Sequence, residues 1–131
     1  MEKRKILIIE DNPDITQALV QVLSDCGHDV ETAVNGKDGL DHLINHPRPD
    51  LILLDLHLPV ISGVDFLKRL AGIPALAFIP VIAMSADIAA HRLCEQNGIP
   101  HFLRKPFELE ELFGLLEDVL RAPRIPRGIV N

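Results

Sequence analysis

The stretch LILLDLHLP at residues 51–59 begins with an uninterrupted apolar run that ends at the carboxylate of Asp55. A second run, ILII at residues 6–9, is followed by two acids, Glu10 and Asp11. Apolar runs without polar alternation are typical of parallel strands that are covered on both faces. In open sheets of such strands, ligands bind in the crevice at the carboxyl ends of the strands. We therefore expect the three carboxylates to lie together at one edge of a parallel sheet.

The rest of the chain alternates short apolar runs with helical patterns, which predicts five strand–helix units. Strands are predicted at residues 5–9, 29–33, 50–54, 79–84 and 101–103. Helices are predicted at residues 12–26, 37–45, 62–70, 87–97 and 108–121. Because crossovers between parallel strands are right-handed, the common solution is strand order 2-1-3-4-5. The predicted fold is α/β, with a doubly wound five-stranded parallel sheet of the flavodoxin-like type.

Length and charge limit the function classes. A chain of 131 residues is enough for one domain with a buried core, which we place at residues 1–121. Residues 122–131 contain two prolines and no periodic pattern, which predicts a disordered tail or a linker. A formal net charge of −6 argues against direct binding of nucleic acid. No apolar run reaches the ~20 residues of a membrane span and no secretory signal is visible, so we expect a cytoplasmic domain that contacts no membrane.

A divalent cation is expected at the three acids. Mg²⁺ prefers octahedral oxygen ligands and keeps several waters, which two carboxylates and one backbone carbonyl would satisfy. We assign Asp11 and Asp55 as direct ligands. Glu10 is expected to hold a coordinated water, and the backbone carbonyl of His57 can supply the third protein oxygen. Without the cation the carboxylates repel one another, so at least one pKa is expected to be raised.

Phosphoryl chemistry is the function that these groups favour. Asp55 is the expected nucleophile, because aspartate carboxylates form acyl phosphates. Lys105 follows the fifth strand and would pair with a phosphoryl oxygen as a point charge. Ser85, at the end of strand four, offers a hydroxyl that can donate to another oxygen. Positioning and neutralisation of this kind are most of what phosphoryl transfer requires.

Together these residues resemble the receiver domain of two-component response regulators, the family of the chemotaxis regulators, over about residues 4–121. Five motifs occur in the family's order, each at the end of a predicted strand. They are the acidic pair Glu10 and Asp11, the phosphoacceptor segment at residues 55–59 with Gly63, the hydroxyl of Ser85 with its small neighbour Ala86, the aromatic Phe102, and the lysine–proline motif at residues 105–107. The resemblance implies the fold reached above and a role in signal transduction.

The resemblance also implies partners. The family accepts a phosphoryl group from a histidine kinase or a histidine phosphotransfer protein, and a downstream protein or output domain responds to the altered surface. Its chemistry is limited to transfer to its own aspartate and hydrolysis from it, so the domain would be a signalling module and not an enzyme. A homodimer through helix 4, strand 5 and helix 5 is also compatible with the resemblance.

By the same resemblance, Ser85 and Phe102 are switch residues that couple the site to that surface. Considered alone, Ser85 could instead cap helix 4, a role for which Asp87 competes, and Phe102 could be an ordinary core aromatic. His57 and Asp87 fall at positions that tune the lifetime of the acyl phosphate. The two side chains could touch, or His57 could face solvent without a role.

Two other functions use related folds or chemistry. A hydrolase of the haloacid-dehalogenase type also forms an aspartyl phosphate, but it needs a second aspartate where this chain has His57, and its nucleophile follows the first strand. A flavodoxin-like flavin binder needs a hydroxyl- and glycine-rich loop after strand one. This chain has Glu-Asp-Asn-Pro there, at residues 10–13. Both alternatives are therefore disfavoured.

Two smaller expectations concern local structure. The Lys105–Pro106 peptide bond is predicted to be cis, because a tight turn there would direct the ammonium back over the strand ends. The histidines other than His57 are predicted to be surface residues, and they are His28, His42, His46, His91 and His101.

Overall fold

Five parallel strands form one sheet in the computed structural model, which describes residues 2–58 and 60–121. The strands are β1 (Lys5–Ile9), β2 (Asp29–Ala33), β3 (Leu51–Asp55), β4 (Val81–Ser85) and β5 (His101–Arg104). The helices are α1 (Pro13–Asp25), α2 (Gly36–Asn45), α3 (Gly63–Ala71), α4 (Ala89–Gln96) and α5 (Leu109–Arg121). The predicted tail at residues 122–131 lies outside the described residues. None of the helices described is long and apolar enough to cross a membrane.

The strand order is β2-β1-β3-β4-β5, which confirms the predicted topology. β1 and β3 pair directly, with Ile9 opposite Leu54, so the residues that follow these two apolar runs come out at the same edge of the sheet. On the other side of β3, Asp55 is opposite Met84. This register places the carboxyl ends of β1, β3 and β4 side by side.

The sheet is covered on both faces, which explains why its strands lack polar alternation. Along β1, Leu7 and Ile9 join one apolar cluster with Phe66 of α3, whereas Ile6 and Ile8 join the other. The first cluster also receives side chains from α2 and α4, and the second from α1 and α5. Two helices on one face and three on the other complete the doubly wound arrangement.

Three helices begin at polar caps that the sequence supplies. Asn12 Oδ1 accepts from the backbone N–H of Asp14 at 2.9 Å, and Asn35 and Ser62 cap α2 and α3 in the same way. Each cap satisfies a backbone donor that would otherwise have no partner in the first turn. Helix α4 differs, because its N-cap residue, Ile88, makes no side-chain cap bond.

Several predicted boundaries were wrong by one or two residues, and two of these errors matter for the site. β3 extends to Asp55 and β4 extends to Ser85, one residue further than predicted, so each polar side chain belongs to the last residue of a strand. The ladder continues past them: the Leu56 N–H donates to the Met84 carbonyl at 3.0 Å, and the Lys105 N–H donates to the Ser85 carbonyl at 2.8 Å. Rigid backbone therefore positions both groups.

The prediction that His28 is a surface residue was wrong. His28 follows the turn after α1 and is buried against the start of β1, where its Nδ1 accepts from the backbone N–H of Arg4 at 3.1 Å. Burial is the main cause that lowers its pKa, because the charged imidazolium is disfavoured away from water. His42 and His101 are half-buried, and the sequence pattern did not predict this degree of burial either.

Candidate functional site

Three carboxylates meet at the carboxyl edge of the sheet, as the sequence predicted. Glu10 and Asp11 follow β1, and Asp55 ends the neighbouring β3. One oxygen atom from each of the three lies within 4.8 Å of the other two. Glu10 and Asp55 are only 2% and 4% exposed, whereas Asp11 is exposed to solvent. The cluster is thus open on the side of Asp11 and closed beneath the other two.

Lys105 brings a positive charge to this cluster from the end of β5. Its Nζ lies 3.0 and 3.1 Å from the two carboxylate oxygens of Glu10, and 3.6 Å from Asp55 Oδ2. The Lys105–Pro106 bond is cis, which confirms that prediction. The sequence assigned the ammonium to an incoming phosphoryl group, and its close pairing with Glu10 was not predicted. The contacts of the lysine are therefore closer with Glu10 than with Asp55.

Crowding of the acids perturbs one of them strongly. The pKa of Glu10 is raised to about 7, first because the carboxyl group is buried and then because it lies beside Asp55. Lys105 acts in the opposite direction, since its ammonium favours the ionised form. This result agrees with the expectation that at least one carboxyl pKa is raised when no cation is bound.

The Asp55 carboxylate has a fixed orientation. The backbone N–H of His57 donates to its Oδ1 at 3.0 Å, while Oδ2 faces the Lys105 ammonium. This bond closes a short turn between the strand end and the loop that follows. The side chain of His57 is exposed, so it is the backbone of this residue, and not its imidazole, that contacts the aspartate.

Ser85 is fully buried at the end of β4, next to Asp55 in the sheet. Its Oγ accepts from the backbone N–H of Asp87 at 3.0 Å, which leaves the hydroxyl proton available to donate. Asp87 Oδ1 accepts from the N–H of Ala89, the first residue of α4, at 2.9 Å. Of the two residues considered for capping, it is therefore Asp87 that bonds to the helix. Within the described residues, no hydrogen bond or ion pair joins Asp87 to His57.

Phe102 lies on β5, half-buried against the apolar cluster beneath α4. Its ring stacks on the imidazole of His91 from α4, with ring centroids 5.0 Å apart and an interplanar angle of 8°. His91 Nε2 also lies 3.3 Å from Glu95 Oε1, one turn further along the helix. The sequence pattern did not predict this stack. The spacing of His91 and Glu95 was a usable signal for the contact between these two side chains, but not for the contact with Phe102.

The start of α3 packs closely against the end of β3, beside Asp55. A Cβ atom on Gly63 would lie 2.7 Å from the Leu56 Cα and 3.2 Å from the Asp55 carbonyl oxygen. Val60, in the loop between β3 and α3, has a φ of 72°, a left-handed conformation that is unfavourable for a β-branched residue. The close approach at Gly63 thus fixes the start of α3 against the backbone next to Asp55, and the conformation of Val60 carries a local cost in backbone energy.

The donor set fits a hard cation. All three side chains offer carboxylate oxygens, which suit Mg²⁺, and no imidazole or thiolate stands among the three. A groove of about 690 Å³ opens beside Glu10 and Asp11 and runs along α1, so the exposed side of the cluster is accessible to a partner. The arrangement can hold a divalent ion and neutralise an anionic group placed between it and Lys105.

Comparison with known proteins places these features in a family. The family model of the response regulator receiver domain matches residues 6–117. The DNA-binding dual master transcriptional regulator RpaA of Synechocystis is 36% identical over 127 residues, which cover 95% of this chain and 52% of that protein. The chain thus spans about half the length of this relative.

Solved structures agree with the sequence comparison. Chemotaxis response regulator CheY4 of Vibrio cholerae superimposes with a TM-score of 0.80 at 28% identity, covering 90% of this chain and 99% of that one. The receiver domain of sensor histidine kinase PA1611 from Pseudomonas aeruginosa superimposes with a TM-score of 0.84 at 28% identity, covering 92% and 100%. That receiver domain has a magnesium ion coordinated in its active-site cleft.

Proposed function

The chain belongs to the response regulator receiver domain family, and on that premise we propose that Asp55 is the residue that accepts the phosphoryl group. Receiver domains are signalling modules of two-component systems, and phosphorylation of an aspartate is their general function. One observation carries the proposal: Asp55 is a buried carboxylate at the centre of the sheet edge, between two further acids and a lysine. Family membership also sets aside the hydrolase and flavin-binding alternatives.

The transfer step uses groups that already surround Asp55. A carboxylate oxygen attacks the phosphorus of a phosphohistidine on a histidine kinase or phosphotransfer protein. The new O–P bond forms as the N–P bond breaks, and the departing imidazole takes up a proton from solvent. Lys105, whose Nζ lies 3.6 Å from Asp55 Oδ2, and the hydroxyl of Ser85 at the end of the neighbouring β4 would then counter the charge on the phosphoryl oxygens. Hydrolysis is a separate step: water attacks the phosphorus, the O–P bond to Asp55 breaks, and phosphate leaves as a proton passes to solvent and the carboxylate is restored.

The carboxylate donor set supports Mg²⁺ as the cofactor. In this proposal Asp11 and Asp55 are direct ligands, Glu10 holds a coordinated water, and the His57 carbonyl completes the protein ligands. When bound, the ion offsets the charge that an incoming phosphoryl group adds to an already acidic cleft. The exposed position of Asp11 leaves this side of the cluster open to solvent and ligand.

Output would proceed through Ser85 and Phe102. If the hydroxyl of Ser85 turns toward the phosphoryl group, it gives up the bond from the Asp87 N–H at the start of α4. Phe102 has no polar atom to satisfy and can move into vacated space without losing a hydrogen bond. We assign the downstream partner, or a homodimer, to the face of α4, β5 and α5, where Ile88 and Leu109 are 66% and 45% exposed. His57 and Asp87 remain proposed modulators of acyl-phosphate lifetime.

The location and partners follow the same reasoning. The acidic chain is proposed to act in the cytoplasm through protein contacts, without direct binding of nucleic acid or membrane.

Chemical shifts should test the output face: a phosphoryl mimic at Asp55 should shift amide resonances at residues 86–110. Changes confined to the loops that bear Asp11, Asp55 and Lys105 would contradict the proposed switch.

Intact-mass measurement tests the nucleophile. After incubation with acetyl phosphate and Mg²⁺, the protein should gain a single adduct of about 80 Da, the mass of one phosphoryl group on one carboxylate. Asp55→Asn should abolish the adduct. Asp118→Asn, which removes an exposed carboxylate of α5 outside the cluster, should retain it. An adduct that persists in Asp55→Asn would place the nucleophile elsewhere.

A further inference from the structure

The stack of His91 on Phe102 joins α4 to the strand that carries the proposed switch aromatic. The two rings are nearly parallel, at 8°, and their centroids lie 5.0 Å apart, within the range of favourable aromatic pairs. We propose that His91 is a positioning residue of the switch: it holds the Phe102 ring in the position seen here and so opposes the phosphorylated arrangement. This inference rests on the proposed function, in which the Phe102 ring moves.

The register of the sheet places Phe102 and Ser85 on the same face. Phe102 is opposite Ala83 of β4, and Ser85 lies two residues further along that strand. Paired residues of neighbouring strands, and residues two apart on one strand, point to the same side of a sheet. Helix α4 covers this side, since Ala90 and Cys94 belong to the same apolar cluster as Ala83. The switch hydroxyl, the aromatic ring and α4 thus share one layer of the fold.

Two contacts fix the imidazole of His91. Its face lies against the Phe102 ring, and its Nε2 lies 3.3 Å from Glu95 Oε1, one turn further along α4. Residues four apart on a helix are neighbours on its surface, so Glu95 can hold the edge of the imidazole while the face stays on Phe102. A phenyl ring that moves inward leaves this imidazole without its stacking partner.

The start of α4 connects His91 to the site. Ser85 Oγ accepts from the Asp87 N–H at 3.0 Å, and Asp87 Oδ1 accepts from the Ala89 N–H at 2.9 Å. His91 follows two residues later, in the first turn of the helix. Loss of the bond between Ser85 and Asp87 therefore loosens the end of the helix that carries His91. The stack opposes this change, because it ties the same turn to β5.

The energy of such stacks sets the size of the expected effect. Aromatic pairs of this kind bias an equilibrium by roughly 2- to 12-fold beyond the effect of the area that they bury. When the phosphorylated arrangement is the minor one in the free protein, loss of the stack raises its population by that factor. The apparent affinity for a ligand that binds only this arrangement rises equally.

The χ1 rotamers of Phe102, measured by NMR from three-bond couplings without metal or phosphoryl donor, test the positioning role. The wild type should show one dominant rotamer. His91→Ala should raise the ratio of minor to major rotamer roughly 2- to 12-fold. His91→Phe keeps a ring that can stack and should restore the wild-type ratio. Arg92→Ala is the matched control, because it truncates the exposed neighbour on the same helix, and it should leave the ratio unchanged.

Beryllofluoride, a mimic of the phosphoryl group, tests the effect on the site. Its titration in the presence of Mg²⁺, followed by amide chemical shifts, gives an apparent dissociation constant. This constant should fall in His91→Ala by the same factor as the rotamer ratio rises, and it should keep its wild-type value in His91→Phe and Arg92→Ala. Both His91 variants change an exposed side chain, and circular dichroism checks that they are folded.

The outcomes separate this proposal from the proposed function. Wild-type Phe102 rotamers in His91→Ala would overturn it, and so would altered rotamers with unchanged beryllofluoride affinity. An equal change in Arg92→Ala would also overturn it, because the helix and not the stack would then be responsible. A wild type that binds no beryllofluoride would count against the Asp55 site instead. The rotamer measurement needs no ligand, so it would still support or overturn the positioning of Phe102 by His91.

Discussion

Replacement of Gly63 by alanine should damage both the fold and the site. The added Cβ would meet the Leu56 Cα at 2.7 Å and the Leu56 Cδ2 at 2.8 Å. The Leu56 side chain can rotate away, but its Cα can move only if the backbone next to Asp55 moves with it. Overpacking of this kind costs about 1–3 kcal/mol of the free energy of unfolding. The gain in helix propensity is small, because Gly63 is the first residue of α3.

Gly114 provides the matched control on α5. Among the described residues, no atom beyond the helix's own neighbouring backbone lies within 4 Å of a Cβ built on this residue, so Gly114→Ala meets no steric obstacle there. The substitution should stabilise the protein by roughly 0.5–1 kcal/mol, the usual advantage of alanine over glycine inside a helix. The two glycine-to-alanine substitutions are therefore expected to change stability in opposite directions.

Urea denaturation followed by circular dichroism measures both free energies of unfolding. The rate of adduct formation with acetyl phosphate then reports whether the Asp55 backbone has shifted, and it should fall in Gly63→Ala while remaining unchanged in Gly114→Ala. Gly63→Ala with wild-type stability would refute the reasoning, because the Leu56 backbone would then have space for a methyl group.

Four further predictions concern titratable and metal-binding groups. Asp11→Ala should weaken Mg²⁺ binding more than Glu10→Ala, as measured by metal titration, and equal losses would show that their roles are not distinct. In the metal-free protein, carbon-detected NMR should find a Glu10 pKa of about 7, and added Mg²⁺ should lower it. Because the pKa of His28 is lowered in the folded protein, the contribution of this group to the free energy of unfolding should be full above the unfolded value of 6.5 and be lost as the pH falls below it. The raised pKa of Glu10 acts in the opposite sense, so urea denaturation across this range should compare the wild type with His28→Gln, which lacks the His28 contribution. A thiol reagent should label the exposed Cys26 quickly and spare the buried Cys94, whose pKa is raised to about 11.

The fold could be predicted because its main signals are local. Apolar runs of the length of residues 6–9 and 51–54 have few alternatives to buried parallel strands, and polar caps such as Asn12 mark the start of helices. The proximity of Glu10, Asp11 and Asp55 could be predicted from the strand order alone, because neighbouring parallel strands have their carboxyl ends at the same edge of the sheet. Strand ends were less certain, because the ladder continues through a polar residue such as Asp55 when its backbone groups find partners.

Contacts between distant side chains could not be predicted in the same way. Whether Lys105 lies closer to Glu10 or to Asp55 is a difference of about half an ångström, which depends on the packing of three strand ends. The burial of His28 depends on how the turn after α1 meets β1, and no periodic pattern encodes it. The stack of His91 on Phe102 joins a helix and a strand through side-chain rotamers, which the sequence leaves open.

The ion pair between Lys105 and Glu10 has a consequence for the order in which the site is assembled. It joins residues that are 95 positions apart, nearly the whole span of the domain. During synthesis the acidic half of the cleft is made first, and its countercharge arrives only with the last strand. Contacts of such long sequence separation form late and slow the folding of parallel sheets. The cleft is therefore complete only when the whole fold has formed. A chain that stops after β4 would contain the three acids but lack the lysine whose positive charge compensates theirs.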